Sequence, residues 1–280
     1  MWPLNPPALT ARDSYDACVR NTKDEERRNR LLMAGDSVEA AGDRYRQAAQ
    51  QGILHELDSR EFTVPGLTPD ELVRWVYENG MVGSRDGRAL YEQIRGAAPD
   101  QRCPLCGHGV VKTLDHFLPK RMFPALCVDP LNLVPACTDC NHIKGEHAPT
   151  GAETTLLHPY LDRIDEDSWL DAQVVHNSPS WVAFFVSPPP DWAEVLVERT
   201  RYHFTLFTLA EVFALQANRT VSNIRYTLTA MLAAGGSAMV RDYLASEAET
   251  RLVDRPNGWE GVTYRALAHD DAFCSGAFAT

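Results

Sequence analysis

Apolar positions recur mostly at helical spacing, interrupted near the middle and again further on by short alternating runs. Residues 10–56 read as helical: Asp13 or Ser14 stands where the first helix needs a cap, and Tyr15, Val19, Leu31 and Leu32 are scattered anchors. Residues 23–30 are densely charged, which predicts a solvated face. Leu67-Thr68-Pro69-Asp70-Glu71-Leu72 is a helix start, with Thr68 at the N-cap, Pro69 at the first helical position and Glu71 at the third. Leu72, Trp75 and Val76 then form its apolar face, and Gly80 is the expected end. A further helix is expected over 86–96.

Near residue 110 the period changes to two. Val111, Thr113 and Asp115 alternate with Val110, Lys112 and Leu114, which predicts a short strand. Residues 132–135 read as a second strand, with Pro135 ending it or placing it at an edge. Residues 140–144 read as the first turn of a helix. Runs 172–176 and 181–187 are β-prone and flank Asn177-Ser178-Pro179-Ser180, which predicts a hairpin. Segments 209–217, 221–234 and 237–248 are apolar at helical spacing, broken by Gly235-Gly236, and Phe204, Phe207 and Phe213 are expected core residues. The fold class is α+β: a mainly α-helical chain around a small strand–strand–helix module, in three regions, 1–98, 99–162 and 163–280.

The chemistry concentrates in that module. Cys103/Cys106 and Cys137/Cys140 are two C-x2-C pairs, the usual source of thiolates for tetrahedral zinc. Four thiolates leave no open coordination position, so such a zinc is structural, pinning two segments of a small module. Two disulfides or a pair of reactive thiols are the alternatives, although a redox C-x-x-C needs a βαβ context that this pattern lacks. Cys18, Cys127 and Cys274 have no partner at ligand spacing and read as ordinary buried residues.

Between the pairs lie Thr113-Leu114-Asp115-His116-Phe117-Leu118-Pro119-Lys120 and then Asn132-Leu133-Val134-Pro135, with Asn141-His142-Ile143-Lys144 after the last cysteine. This order resembles the HNH, or ββα-metal, endonucleases, in the subgroup with a structural zinc; the likeness covers roughly residues 101 to 160. The resemblance implies His116 as general base and Asn132 as the residue that orients it and steadies the loop. It implies Asp115 and Asn141 as ligands of a catalytic cation, and Lys144, Lys120 and Arg121 as phosphate contacts. A carboxylate and an amide oxygen are hard donors, which suit Mg²⁺ or Mn²⁺. His142 or His147 is an alternative ligand. His158, in Leu157-His158-Pro159-Tyr160, either reaches the site or sits in a turn with Tyr160 packed beneath the module. The implied activity is metal-dependent hydrolysis of DNA phosphodiesters. The layout is also similar to the HNH subunit of Septu-type anti-phage defence systems, which works beside an ATPase. The alternatives are a stand-alone restriction or mobile-element nuclease, and a non-catalytic zinc module that binds nucleic acid or protein.

Charge changes the picture. The chain of 280 residues carries a net −11, yet residues 101–150 sum to +1, against −4 before them and −8 after. Three of the four lysines, Lys112, Lys120 and Lys144, fall within the module. Acidic flanks repel a polyanion at long range, which disfavours a free nonspecific DNA binder. They favour delivery by a protein partner such as an ATPase, or self-association. No run of 18 apolar residues predicts a membrane span, and Met1-Trp2-Pro3-Leu4-Asn5 lacks the pattern of a signal peptide. Thiolate zinc and unpaired cysteines give the expectation of a reducing cytoplasm.

Overall fold

The computed structural model describes residues 2–177 and 180–279 and divides into two compact units, Met1–Asp162 and Arg163–Thr280. Among the described residues the fold is α+β and mainly helical, with two separate two-stranded antiparallel sheets.

The first unit begins with α1 (Ala11–Val19), α2 (Glu25–Met33) and α3 (Gly35–Gln51). Thr10, rather than Asp13 or Ser14, caps α1. Its hydroxyl accepts the Asp13 N–H at 3.1 Å, and the Asp13 carboxylate accepts the Thr10 N–H at 3.0 Å, so two otherwise orphaned donors are satisfied. Ser14 is instead buried. Helix α2 keeps most of its charged residues in solvent, as its pattern predicts. Its Arg27 and Arg30 guanidiniums lie 4.5 and 5.4 Å from the Trp75 ring, which leaves Trp75 half-buried rather than in the core.

The turn α4 (Pro69–Glu71) has the predicted start, a capping box between Thr68 and Glu71 with Pro69 at the first position. It continues as a π-helix, Leu72–Val82, that runs past Gly80. The buried side chains Leu72, Val76 and Met81 stand four and five positions apart, which suits a turn wider than 3.6 residues. Gly80 does not end the helix because it serves a close approach: a Cβ there would lie 2.8 Å from the Cys18 carbonyl oxygen. Helix α5 (Arg85–Arg95) follows, capped by Ser84, and its Gly87 sits directly on the Gly80 carbonyl.

The strand–strand–helix module completes this unit. Strand β1 (Thr113–His116) pairs antiparallel with β2 (Leu133–Ala136), Thr113 opposite Ala136 and His116 opposite Leu133. β1 starts later than the alternation predicts, because Val110 forms an isolated bridge with Arg102 instead. Pro135 lies inside β2, which a two-stranded ribbon tolerates because each strand is an edge. Helix α6 (Thr138–Lys144) starts two residues before Cys140, with Cys137 as its cap. The Tyr91 hydroxyl of α5 accepts the Leu114 N–H at 3.1 Å and so fixes β1 to the helical region.

In the second unit β3 (Leu170–Val175) and β4 (Trp181–Val186) form the expected antiparallel pair. Ser178 and Pro179 of the connecting turn lie outside the described residues. Helices α7 (Glu194–Leu206), α8 (Leu209–Leu252), α9 (Trp259–His269) and α10 (Asp271–Cys274) follow. Segments 209–217 and 221–234 are thus one continuous helix, and its break falls at Gly236, whose φ of 71° is open to glycine at little cost. Phe184 and Phe204 meet Phe213 edge-on in the core of this unit. No helix among the described residues is long and apolar enough to cross a membrane.

The contact of Gly87 with Gly80 sets how α5 lies on the π-helix. Gly87→Ala is therefore expected to lower stability by about 1–3 kcal/mol, the usual cost of overpacking. A shift of the denaturant midpoint to lower concentration in equilibrium unfolding checks it.

Candidate metal centre and adjoining cleft

The four cysteines at C-x2-C spacing come together. The Sγ atoms of Cys103, Cys106, Cys137 and Cys140 all lie within 4.8 Å of one another, all four residues are buried, and all seven cysteines are free of disulfides. The local backbone explains how. Gly107, at φ 66°, turns the first pair back on itself, and the Gly109 N–H reaches the Cys106 sulfur at 3.2 Å. Cys137 caps α6, which brings the Cys140 N–H to its sulfur at 3.4 Å. A tetrahedron with metal–sulfur bonds of 2.3 Å has edges of about 3.8 Å, and Cys106 and Cys137 stand at 4.0 Å. The cluster can hold a metal ion such as zinc. Cys18, Cys127 and Cys274 are buried apart from it, as expected.

Asp115, His116, Lys120 and Asn141 line one cleft of about 290 Å³, together with Tyr77, Thr113 and Glu146. His116 closes β1 and is almost wholly enclosed. Its Nε2 lies 2.9 Å from the Cys127 carbonyl oxygen, which can only accept, so Nε2 carries the proton and Nδ1 keeps its lone pair. Nδ1 has no partner among the described residues. Burial, reinforced by the Lys120 charge, pushes the imidazole pKa down to about 3, so the ring is neutral at physiological pH. The Asn141 amide, one turn into α6, has no hydrogen-bond partner among the described residues.

Asn132 holds the loop rather than the imidazole. Its Oδ1 accepts the Leu118 N–H at 2.7 Å, and its Nδ2 donates to the Leu118 and Leu126 carbonyls at 3.0 and 3.2 Å. That loop presents the Cys127 carbonyl to His116, so Asn132 acts on the imidazole at one remove.

Lys144 differs from the expected phosphate contact. Its side chain is buried, with Nζ 3.1 Å from Asp115 Oδ2 and donating to the His116 carbonyl at 2.6 Å. The i+3 step from Asn141 does put it on the inner face of α6, but the short helix aims it beneath the strand. Burial raises the Asp115 carboxyl pKa, and the Lys144 ammonium opposes that shift. Arg121 is exposed, pairs with Glu146 at 3.2 Å and is not a lining residue of the cleft. Lys120 remains at the cleft wall.

The alternative histidines stand elsewhere. His142 is exposed, and His147 Nε2 lies 3.4 Å from the Thr154 carbonyl; neither lines the cleft. His158 is buried between the Tyr45 hydroxyl at 3.0 Å and the Tyr160 N–H at 3.2 Å, against the Phe117 ring. Tyr160 is buried beneath β2, donating to the Leu133 carbonyl at 2.9 Å. The turn reading of the His-Pro-Tyr segment is thus the one the structure has.

Three participants were invisible in the sequence. Tyr77 comes from the π-helix, its ring edge-on to His116 with centroids 4.6 Å apart. Glu146 comes from the residues just past α6. The Cys127 carbonyl is a backbone group, on which side-chain patterns are silent.

No family model matches the chain, and no solved structure matches it. It is similar to Protein ea31 of Escherichia phage lambda, with 28% identity over 290 residues, covering 96% of this chain and 98% of the relative.

Three outcomes follow from this geometry. Lys144→Ala leaves the Asp115 carboxylate buried without its cation and is expected to cost about 3–5 kcal/mol. Arg121→Ala breaks only an exposed pair and is expected to cost less than about 1 kcal/mol; parallel denaturant titrations separate the two. The His116 ring is expected to stay neutral in the folded chain down to about pH 3. An unfolded imidazole takes up its proton near pH 6.5, so stability from this residue is present above that pH and is lost as pH falls toward 3. Histidine NMR titration, with His116→Gln for assignment, reads it directly.

Proposed function

We propose that this chain is an HNH-type, metal-dependent endonuclease that hydrolyses DNA phosphodiester bonds. The observation that carries the reading is the convergence of Asp115, Asn141 and a neutral His116 with a free Nδ1 on one cleft, beside a four-cysteine cluster.

In this reading the cluster holds a structural zinc, since four buried thiolates at tetrahedral spacing leave no place for substrate. The Asp115 carboxylate and the Asn141 amide oxygen are the donors for a separate cation. That pair fits a hard ion, because both line the cleft and the amide has no competing partner among the described residues. Mg²⁺ or Mn²⁺ bound there supplies positive charge for the phosphoryl oxygens and the departing oxygen.

The chain's own residues do the rest. His116 Nδ1 takes a proton from a water molecule as the water oxygen bonds to phosphorus, and the opposite P–O ester bond breaks. The Nε2–H bond to the Cys127 carbonyl holds the ring so that Nδ1 faces the cleft, and it stabilises the imidazolium that forms. Lys144 keeps the Asp115 carboxylate charged within a buried setting. Lys120 meets the phosphate. The acidic flanks favour arrival at DNA through a protein partner, such as the ATPase of a defence system, over free search.

Plasmid cleavage tests the reading. Wild type with Mg²⁺ or Mn²⁺ is expected to cut, and EDTA or His116→Ala to lower the rate by at least about 100-fold, as loss of a general base does. Elemental analysis of the same preparations is expected to find zinc, and to find it lost in Cys140→Ser. Cutting by His116→Ala at the wild-type rate, or a folded zinc-loaded wild type that cuts nothing with or without its co-purifying partner, would sink the proposal.

A further inference from the structure

The cleft has a wall that lies outside the stretch resembling the nuclease module. Tyr77 stands on the π-helix Leu72–Val82, some 25 residues before the first cysteine pair. We infer that the Tyr77 hydroxyl and the Lys120 ammonium together form a subsite for a phosphate of the nucleic-acid backbone, supplied in part by the N-terminal helices.

The geometry of Tyr77 is that of a functional wall. Its ring meets His116 edge-on, and Lys120 Nζ lies 5.4 Å from the ring centroid. Packing against His116 and Lys120 would be served as well by phenylalanine. The hydroxyl has no partner among the described residues, although most of the side chain is covered. Tyr77 lines the cleft, so its hydroxyl is open to an acceptor that arrives with a ligand. Burial also raises the phenol pKa, which keeps the group a donor at neutral pH.

Charge identifies the acceptor. The acidic groups of the cleft are Asp115, which faces Lys144, and Glu146, which faces Arg121. Lys120 makes no ion pair among the described residues, and its charge reaches Asp115 only at longer range. A donor hydroxyl and an ammonium outside any ion pair, on one wall, suit a phosphodiester oxygen. The backbone keeps Tyr77 there: π-helical segments recur at functional sites, and this one is fixed by the contact of Gly80 with Gly87.

The inference shares the nucleic-acid ligand with the proposed function but not the hydrolysis, and the test separates them. Tyr77→Phe in a His116→Ala background is compared with His116→Ala alone for binding a short fluorescein-labelled DNA duplex, read by anisotropy in Mn²⁺. The expected result is roughly five- to tenfold weaker binding with an unchanged melting temperature. Lys120→Met is expected to weaken binding as well, and the double variant less than the two effects combined. In the otherwise wild-type chain, Tyr77→Phe is expected to lower kcat/KM for cleavage by a similar factor. Weaker binding by Tyr77→Phe where wild type does not cut supports the subsite while hydrolysis fails. Equal binding with and without the hydroxyl, or no DNA binding by His116→Ala at all, overturns the subsite.

Discussion

Four sulfurs within 4.8 Å of one another constrain everything around them. Buried thiols at that spacing cannot all ionise unless a cation sits among them, and with one they become a rigid crosslink. A metal held there would join the turn at 103–106 to the start of α6. Because Cys137 is both a member of the cluster and the cap of α6, it fixes where that helix begins and how it is rotated. Asn141 and Lys144 then have no freedom of phase: one faces the cleft and the other the underside of β1.

The second constraint is the buried ammonium of Lys144. It bridges the Asp115 carboxylate and the His116 carbonyl, so two adjacent residues of one strand are held by a single group from α6. An Asp–His pair side by side on a strand projects its side chains to opposite faces. Asp115 is therefore held from below by Lys144, whereas His116 is held by the Cys127 carbonyl at the far end of the Asn132-braced loop. The two side chains reach one cleft from different supports.

Much of this was legible in the sequence, for physical reasons. Ligand spacing in C-x2-C pairs is local, so the cluster could be read without the fold. The capping box at Thr68 is local too, and so is the hairpin alternation around residues 170–186. What was not legible depends on tertiary contact. Gly80 looks like a helix terminator because glycine often is one, but here it admits Cys18 and α5, and the helix widens past it. Trp75 looks like core until two arginines cover it. Lys144 at i+3 from Asn141 looks like a surface phosphate contact, and only the closeness of α6 to β1 makes it internal. Tyr77 carries no signal at all, because nothing in its neighbourhood of the sequence says which cleft the π-helix will border.

The use of charge explains a chain that is acidic overall yet built around a candidate site for a polyanion. Of the cationic side chains in the module, Lys144 is committed to Asp115 and Arg121 to Glu146. Lys120 lines the cleft outside any ion pair, and Lys112 is exposed. Two such ammoniums supply little long-range attraction, and with a Debye length of about 8 Å at physiological salt they act only at short range. A strong positive field of the kind that steers a protein to DNA is therefore missing from the module. On the proposed reading, contacts of short reach such as the Tyr77 hydroxyl would carry recognition, and the Asn141 amide would serve the cation. On the same reading, delivery by a partner would fit acidic flanks around a locally neutral site.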